Sequence, residues 1–199
     1  MSPISKFPET IKTSRLLLRS VSPTEENAKL MWDEIKKENP QDFPYIRFSP
    51  NRKTHLPTSE KETLDTLLEA KEVPNSINYW VYHKDKFIGF VQIIYWEKRD
   101  ILEMARIWFV KSAWGNGFAS EINKAIEEIT FSKTKVLNMG WQCYEDNANS
   151  KKTALRNGYK LVKEMTDPET RCNRLVFIKE KISNNQVYYD MLQESSHQK

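Results

Sequence analysis

The sequence predicts a mixed α/β domain of the α+β type, with one mostly antiparallel sheet of about seven strands flanked by about four helices. Three observations lead to this fold class. Apolar residues form short strand-like runs and, in other segments, recur at helical spacing. The resulting element order is β α α β β β α β α β β. The length of 199 residues suits one domain with a sizeable core.

The first elements are an arm, a strand and a helix. Residues 1–10 carry little pattern and are expected to form an N-terminal arm. The apolar run at residues 11–21 predicts the first strand. Ser22 as a cap and Pro23 in the first turn then predict a helix that extends to about Lys37.

A proline-rich segment, residues 39–57, separates this helix from the second one. It also contains aromatic residues, namely Phe43, Tyr45 and Phe48. Such a loop is either a wall of a binding site or a segment that packs its rings on the core. Thr58 or Ser59 then caps the second helix, with Glu62 at capping-box spacing from Ser59. Its buried stripe is expected to be Leu64, Leu67 and Leu68.

Most strands are expected in the second half of the chain. They are residues 77–84, 87–96, 101–110, 136–143, 159–164 and 174–181. Asp85 and Lys86 predict a hairpin turn between the first two. A third helix is expected at residues 117–131 and a fourth at residues 150–157, where Gly158 ends it.

Composition narrows the class of protein. The net charge of +4 comes from 31 basic and 27 acidic residues that are interspersed, so no nucleic-acid partner is expected. Cys143 and Cys172 have no metal or redox spacing, and no metal site is expected. No apolar run is long enough to cross a bilayer or act as a signal peptide, which predicts a cytoplasmic protein without a membrane partner. Residues 11–182 form the expected domain, and residues 183–199 form a polar tail.

The chemistry is expected where a strand turns into the third helix. Gly115 and Gly117 stand in this turn, and glycine allows a positive φ and close approach of a ligand. The first amides of a helix have no partner within it, and the helix dipole favours an anion there. The turn is therefore either a phosphate-binding site or a plain connector.

Three segments resemble a known family. Residues 114–121 resemble the acetyl-CoA-binding motif of the GNAT superfamily of N-acetyltransferases, Gln/Arg-x-x-Gly-x-Gly/Ala. Residues 13–19 are similar to the T-x-R-L-x-L-R opening of its RimJ/RimL-type branch, and residues 147–159 to the N-x-x-S…x-G-F segment of that branch. The chain departs from these motifs at Ser112, where many members have Gln or Arg, and at Tyr159.

The resemblance implies acetyl-CoA as cosubstrate, bound where the strands at 101–110 and 136–143 splay apart. It implies pairing of the pantetheine amides with Phe109 and Val110, and a place for Asn147 and Ser150 along the pantetheine arm. The amides that would hold the pyrophosphate are those of Trp114, Gly115, Asn116, Gly117, Phe118 and Ala119.

The expected reaction is direct transfer of the acetyl group to an amine. Glu103 is the first candidate for the base, because an acid in an otherwise apolar strand invites a raised pKa; the alternative is an edge-facing or solvated glutamate. Ser150 is the candidate for the contact to the leaving thiolate, although it could instead cap the fourth helix. Tyr144 is the alternative acid, and an acyl-enzyme on Cys143 is disfavoured because no His is nearby in sequence.

The acceptor is left open between a protein N-terminus and a small amine. Aromatic residues that could line its site, if they do not belong to the core, are Trp80, Tyr82, Trp141 and those of the 39–57 loop. A monomer or a homodimer is expected. The alternative function is a non-catalytic acyl-CoA-binding or protein-interaction module on the same fold.

Overall fold

An eight-stranded sheet forms the centre of the protein in the computed structural model, which describes residues 2–44, 56–166 and 173–181. The strands are β1 (Thr10–Lys12), β2 (Leu16–Ser20), β3 (Ser76–His83), β4 (Lys86–Trp96), β5 (Ile101–Phe109), β6 (Asn138–Tyr144), β7 (Lys160–Thr166) and β8 (Asn173–Glu180). The α-helices of the described residues are α1 (Glu25–Ile35), α2 (Glu60–Lys71), α3 (Phe118–Lys133) and α4 (Ala148–Arg156). The strand order is β1-β2-β3-β4-β5-β6-β8-β7, and only β5 and β6 pair in parallel. The predicted fold class is thus confirmed.

The extra strand comes from the beginning of the chain. The single strand predicted at residues 11–21 is wrong, because β1 and β2 form a hairpin that turns at residues 13–15. The carboxylate of Glu121 in α3 accepts hydrogen bonds from the hydroxyls of Thr13 and Ser14 and from the amide of Arg15, over 2.5, 3.0 and 2.8 Å. This partner lies more than 100 residues further along the chain, so the local pattern could not reveal the turn.

The hydrogen bonds to the Glu121 carboxylate are strong enough to change its pKa. Burial alone would raise its pKa, but the hydrogen bonds from Thr13, Arg15 and Ser14 outweigh burial and lower the pKa to about 2. The Glu121 side chain is only 13% exposed. The carboxylate therefore stabilises the fold in its charged form.

Replacing Glu121 by glutamine tests this contribution. Because the folded pKa lies below the unfolded value, the stabilisation is fully present above the unfolded pKa and is lost as the pH falls toward 2. We expect E121Q to lower the free energy of unfolding by about 2 kcal/mol at pH 7, and the gap to shrink between pH 4.5 and pH 2. Urea unfolding of both proteins across this pH range measures it. A gap that is independent of pH would contradict the account.

Helix capping agrees with the sequence in α2 and differs in two other helices. The side chain of Ser59 caps α2, as predicted. Thr24, not Ser22, caps α1 by accepting from the Asn27 amide. Asn147 caps α4 by accepting from the Ser150 amide, so α4 begins earlier than predicted and the Ser150 hydroxyl is not its cap.

The helices cover both faces of the sheet. The Gln92 side chain of β4 donates to the Ala70 carbonyl of α2. Gly89 of β4 is three residues from Gln92, so these two residues face opposite sides of the sheet. Phe109 pairs with Gly89, and the Phe109 ring contacts Phe118 of α3 on that second side. The stripe predicted for α2 is only partly correct, since Leu67 is buried, Leu64 is partly buried and Leu68 is 44% exposed; Thr63, Thr66 and Ala70 are the other buried residues.

The first residues of the chain pack on this core. Pro3–Lys6 form a short 3-10 helix, Phe7 is buried, and the Tyr79 hydroxyl donates to the Pro8 carbonyl. The expected polar tail and most of the 39–57 loop, including Tyr45 and Phe48, lie outside the described residues. Of that loop, Phe43 is buried against Trp108 and Trp114.

Candidate active site

The turn before α3 leaves a run of backbone amides free. Gly115 and Gly117 both have a φ of 76°, in the left-handed region that favours glycine. Gly117 is the N-cap of α3 and no side chain caps the helix. Within the described part of the chain, the amides of residues 115–120 donate to no protein acceptor. Successive free amides at a helix N-terminus form a site for an anionic group.

Two of the residues expected to bind the cofactor are already engaged. The Trp114 amide donates to the Lys111 carbonyl, so the run of free amides begins one residue later than predicted. Val110 donates its amide to Ile88 and accepts from the Ala113 amide, so both backbone groups of Val110 are used within the protein. Only the second lone pair of the Val110 carbonyl is left for a pantetheine contact, which stays a prediction.

Side chains make the turn rigid. Asn116 donates from its amide group to the carbonyls of Ala113 and Trp114. The indole of Trp114 donates to the Phe109 carbonyl at 3.0 Å. One turn into α3, the Ser120 hydroxyl accepts from Asn157, which joins the turn to the end of α4.

Beside the turn, β5 and β6 splay apart. They pair only over residues 101–103 and 138–140, and the last pair is Glu103 with Gly140. A β-bulge follows at once, because Gln92 of β4 pairs with Arg106 while the next residue pairs with Met104. Since the Val110 amide points to β4, strand alternation directs the backbone groups of Ile107 and Phe109 toward the opening. Ile107 was not among the residues expected from the motif.

Glu103 lies at the point where the two strands separate. It is only 5% exposed, so the alternative of a solvated glutamate is wrong. Its carboxylate accepts from the indole of Trp96 at 2.5 Å and from the side-chain amide of Gln142 at 3.4 Å. Burial raises the pKa of Glu103, an effect that the Trp96 hydrogen bond and the charges of nearby arginines oppose. A buried carboxyl with a raised pKa is a stronger base than an exposed one, as a general base requires.

Ser150 faces the other side of the same strand pair. Its hydroxyl accepts from the indole of Trp141 at 3.0 Å, and Trp141 precedes Gln142 in β6, so the two side chains point to opposite faces. The Ser150 hydroxyl also lies within hydrogen-bond range of the Cys143 thiol. Because the oxygen accepts from Trp141, the hydroxyl proton is directed either to this thiol or to a bound ligand that replaces it. Asn147 is held as the cap of α4, which fixes the first turn that carries Ser150.

The other candidate residues have structural partners. Burial raises the pKa of the Cys143 thiol, which makes it a poor nucleophile. Tyr144 is buried and its ring lies under the Arg174 guanidinium, 5.5 Å from the ring centre. Tyr159, in place of the phenylalanine of the motif, donates its hydroxyl to Asn123 of α3 at 2.8 Å. Trp80 and Trp141 are buried, which assigns them to the core rather than to an open wall.

Among the described residues, no cluster of His, Cys, Asp and Glu could hold a metal ion. In the same part of the chain, no helix has the length and apolar character to cross a membrane.

Comparisons with known proteins bear on the family and the fold. The family model for the acetyltransferase (GNAT) domain matches residues 15–160. No curated protein matches the sequence at a significant level.

Solved structures match at low identity over nearly the whole domain. RimL, a ribosomal L7/L12 alpha-N-protein acetyltransferase in complex with coenzyme A, is 16% identical with a TM-score of 0.73, over 86% of this chain and 98% of that one. A GCN5-related N-acetyltransferase from Brucella melitensis is 14% identical with a TM-score of 0.75, over 94% and 86%. The microcin C7 self-immunity acetyltransferase MccE, in complex with acetyl-CoA and AMP, is 16% identical with a TM-score of 0.71, over 89% and 99%. At these identities the matches establish the fold.

Proposed function

Because the chain belongs to the GNAT acetyltransferase family, we propose that it binds acetyl-CoA between β5 and β6 and transfers the acetyl group directly to a primary amine. The acceptor is a protein N-terminus or a small amine. The observation that carries the proposal is the uncapped N-terminus of α3, whose free amides stand beside the splayed strands. The choice of cosubstrate is supported by RimL and MccE, whose structures are complexes with coenzyme A and with acetyl-CoA and AMP.

In the proposed donor site, backbone amides bind the charged pyrophosphate of acetyl-CoA. The amides of residues 115–119 bind the pyrophosphate, since they are free and lie at the positive end of the α3 dipole. The backbone of Ile107 and the amide of Phe109 pair with the polar groups of the pantetheine arm, since the Phe109 carbonyl already accepts from the Trp114 indole. Asn147 acts on this arm through α4, because it caps the turn that presents Ser150.

In the proposed chemistry, Glu103 and Ser150 act from opposite faces of the sheet. Glu103 accepts a proton from the ammonium of the acceptor, directly or through water, and the free amine attacks the thioester carbonyl. The C–S bond then breaks as the amide forms, and the second proton lost by the attacking nitrogen passes to the thiolate, so that CoA leaves as the thiol. Ser150 donates its hydroxyl proton as a hydrogen bond to the sulfur that leaves, while Trp141 holds the Ser150 oxygen. Tyr144 is the second choice for this acid.

Acetyl transfer is tested with a panel of acceptors. Release of CoA from acetyl-CoA is followed with peptides that carry different N-terminal residues, and with polyamines and aminoglycosides. We expect at least one class to give turnover that depends on both enzyme and acceptor. Binding of acetyl-CoA without transfer to any acceptor would contradict the enzyme and favour a non-catalytic acyl-CoA-binding module.

Replacing Ser150 by alanine tests its role as a hydrogen-bond donor. We expect kcat to fall about tenfold to a hundredfold while the Kd of CoA stays within about threefold, since the contact forms mainly as the thiolate develops. The matched control is S132A, which removes a hydroxyl that donates to the Glu128 carbonyl near the end of α3. Equal kcat values for S150A and the wild type would exclude Ser150 from the reaction.

A further inference from the structure

The hydrogen-bonded pair of Arg15 and Glu121 lies against the turn that would bind the donor. We infer that Arg15 and Glu121 act together as a positioning pair for the diphosphate of the donor, fixing the first turn of α3 from the β1–β2 hairpin. The inference rests on the proposed function. It assigns a role in donor binding to two residues outside the glycine motif.

The contacts between the two residues fix the orientation of both side chains. Arg15 donates from Nε to Glu121 Oε2 at 2.7 Å, and its terminal nitrogen lies 2.6 Å from the same oxygen. The other carboxylate oxygen accepts from the Arg15 amide at 2.8 Å. Glu121 thus holds the backbone and the side chain of Arg15 at once, which is a stronger restraint than an exposed ion pair gives.

The pair stands beside the free amides. The Arg15 guanidinium lies 4.7 Å from the centre of the Phe118 ring, the first residue of α3. A terminal nitrogen of Arg15 is the nearest atom, at 3.9 Å, to the place where a Cβ on Gly117 would stand. The Arg15 side chain is 46% exposed whereas that of Glu121 is 13% exposed, so the pair presents its cationic side to solvent.

This arrangement restrains the helix end of the turn, in addition to the restraint that Asn116 and Trp114 place on its first half. Glycines at residues 115 and 117 allow the required backbone but also allow many others, which costs binding free energy when a ligand selects one of them. Position 112 is serine, so the turn carries no long polar side chain there. A restraint from the β1–β2 hairpin holds Phe118 and Gly117 in place before the ligand arrives. The exposed side of the Arg15 guanidinium favours an anion, and Glu121 offsets part of its charge.

A double-mutant cycle tests whether the two residues act as a unit. The Kd of CoA is measured by calorimetry for the wild type, R15M, E121Q and the double variant, at a temperature where melting curves show all four to be folded. We expect each single variant to weaken CoA binding about tenfold, and the double variant to bind no more weakly than the worse single one. The KM for acetyl-CoA should rise in parallel, while kcat at saturating donor stays within about twofold.

The control is E127Q, which removes the ion pair of Glu127 with Lys179 from the middle of the same helix. It should leave the Kd of CoA within about twofold of the wild type. If E127Q loses as much CoA affinity as E121Q, the effect comes from the stability of the helix and not from the pair. A Kd of CoA for E121Q that is equal to or lower than the wild-type value would contradict the inference. A double variant whose Kd rises by the product of the two single increases would contradict it as well, because the two residues would then act independently. If the wild type itself fails to bind CoA, the proposed function fails instead.

Discussion

Replacing Gly117 by valine is expected to abolish the stabilisation of the protein by acetyl-CoA. Gly117 has a φ of 76° and a ψ of 11°, a conformation that costs a β-branched residue about 1–3 kcal/mol. Valine would therefore shift the turn, and the amides of residues 115–120 would lose their common arrangement. We expect the Kd of acetyl-CoA to rise at least about a hundredfold, because the whole diphosphate contact depends on this arrangement.

Gly158 offers a matched control for the strain itself. It has a φ of 83°, lies at the end of α4, and leaves room for a Cβ, as Gly117 does. G158V should lose a similar amount of stability and keep the response to acetyl-CoA. If either valine variant does not fold, the pair G117A and G158A makes the same comparison with less strain. Retained donor binding by folded G117V or G117A would refute the placement of the diphosphate.

Replacing Glu103 by glutamine is expected to lower kcat about a hundredfold to a thousandfold while the Kd of acetyl-CoA changes little. Glutamine keeps the shape of the side chain and an oxygen for the Trp96 indole, but it cannot accept the proton of the acceptor. The exposed Glu164 of β7 gives the control variant E164Q, which should leave kcat unchanged. An E103Q enzyme with wild-type kcat would show that solvent alone deprotonates the acceptor.

The pH dependence adds an independent test of Glu103. Because burial raises its pKa above the ordinary value of 4.5, kcat/KM should fall as the pH decreases through this raised pKa. The acceptor titrates in both proteins, so the difference between the wild-type and E103Q profiles isolates the carboxyl group. A raised pKa also means that the charged form costs stability, so E103Q should unfold at the same or a higher temperature than the wild type at pH 8. Identical pH profiles would exclude a titrating base at this position.

Much of the fold could be predicted from the sequence because its helices, caps and turns depend on residues that are close together in the chain. The helical spacing from Phe118 onward and the capping by Ser59 each involve residues within a few positions of one another. The glycine turn was predicted for the same reason. Two left-handed glycines just before an amphipathic helix are a local signal for free amides.

The rest depends on contacts between distant residues. Glu121 holds the β1–β2 turn through hydrogen bonds. Glu103 is buried because the side chains of Trp96 and Gln142 pack around it and hydrogen-bond its carboxylate. A strand pattern gives no means of separating a buried glutamate from an edge one. The bulge between β4 and β5, which falls where β5 separates from β6, is likewise a property of the pairing.

The most direct test of the central claim is binding of acetyl-CoA to the unmodified protein. Calorimetry at neutral pH, with melting curves recorded in parallel, is compared for acetyl-CoA, NAD and ATP. The account predicts saturable binding of one acetyl-CoA per chain and a rise in the melting temperature that NAD and ATP do not produce. No heat and no change in melting temperature at millimolar acetyl-CoA would contradict it.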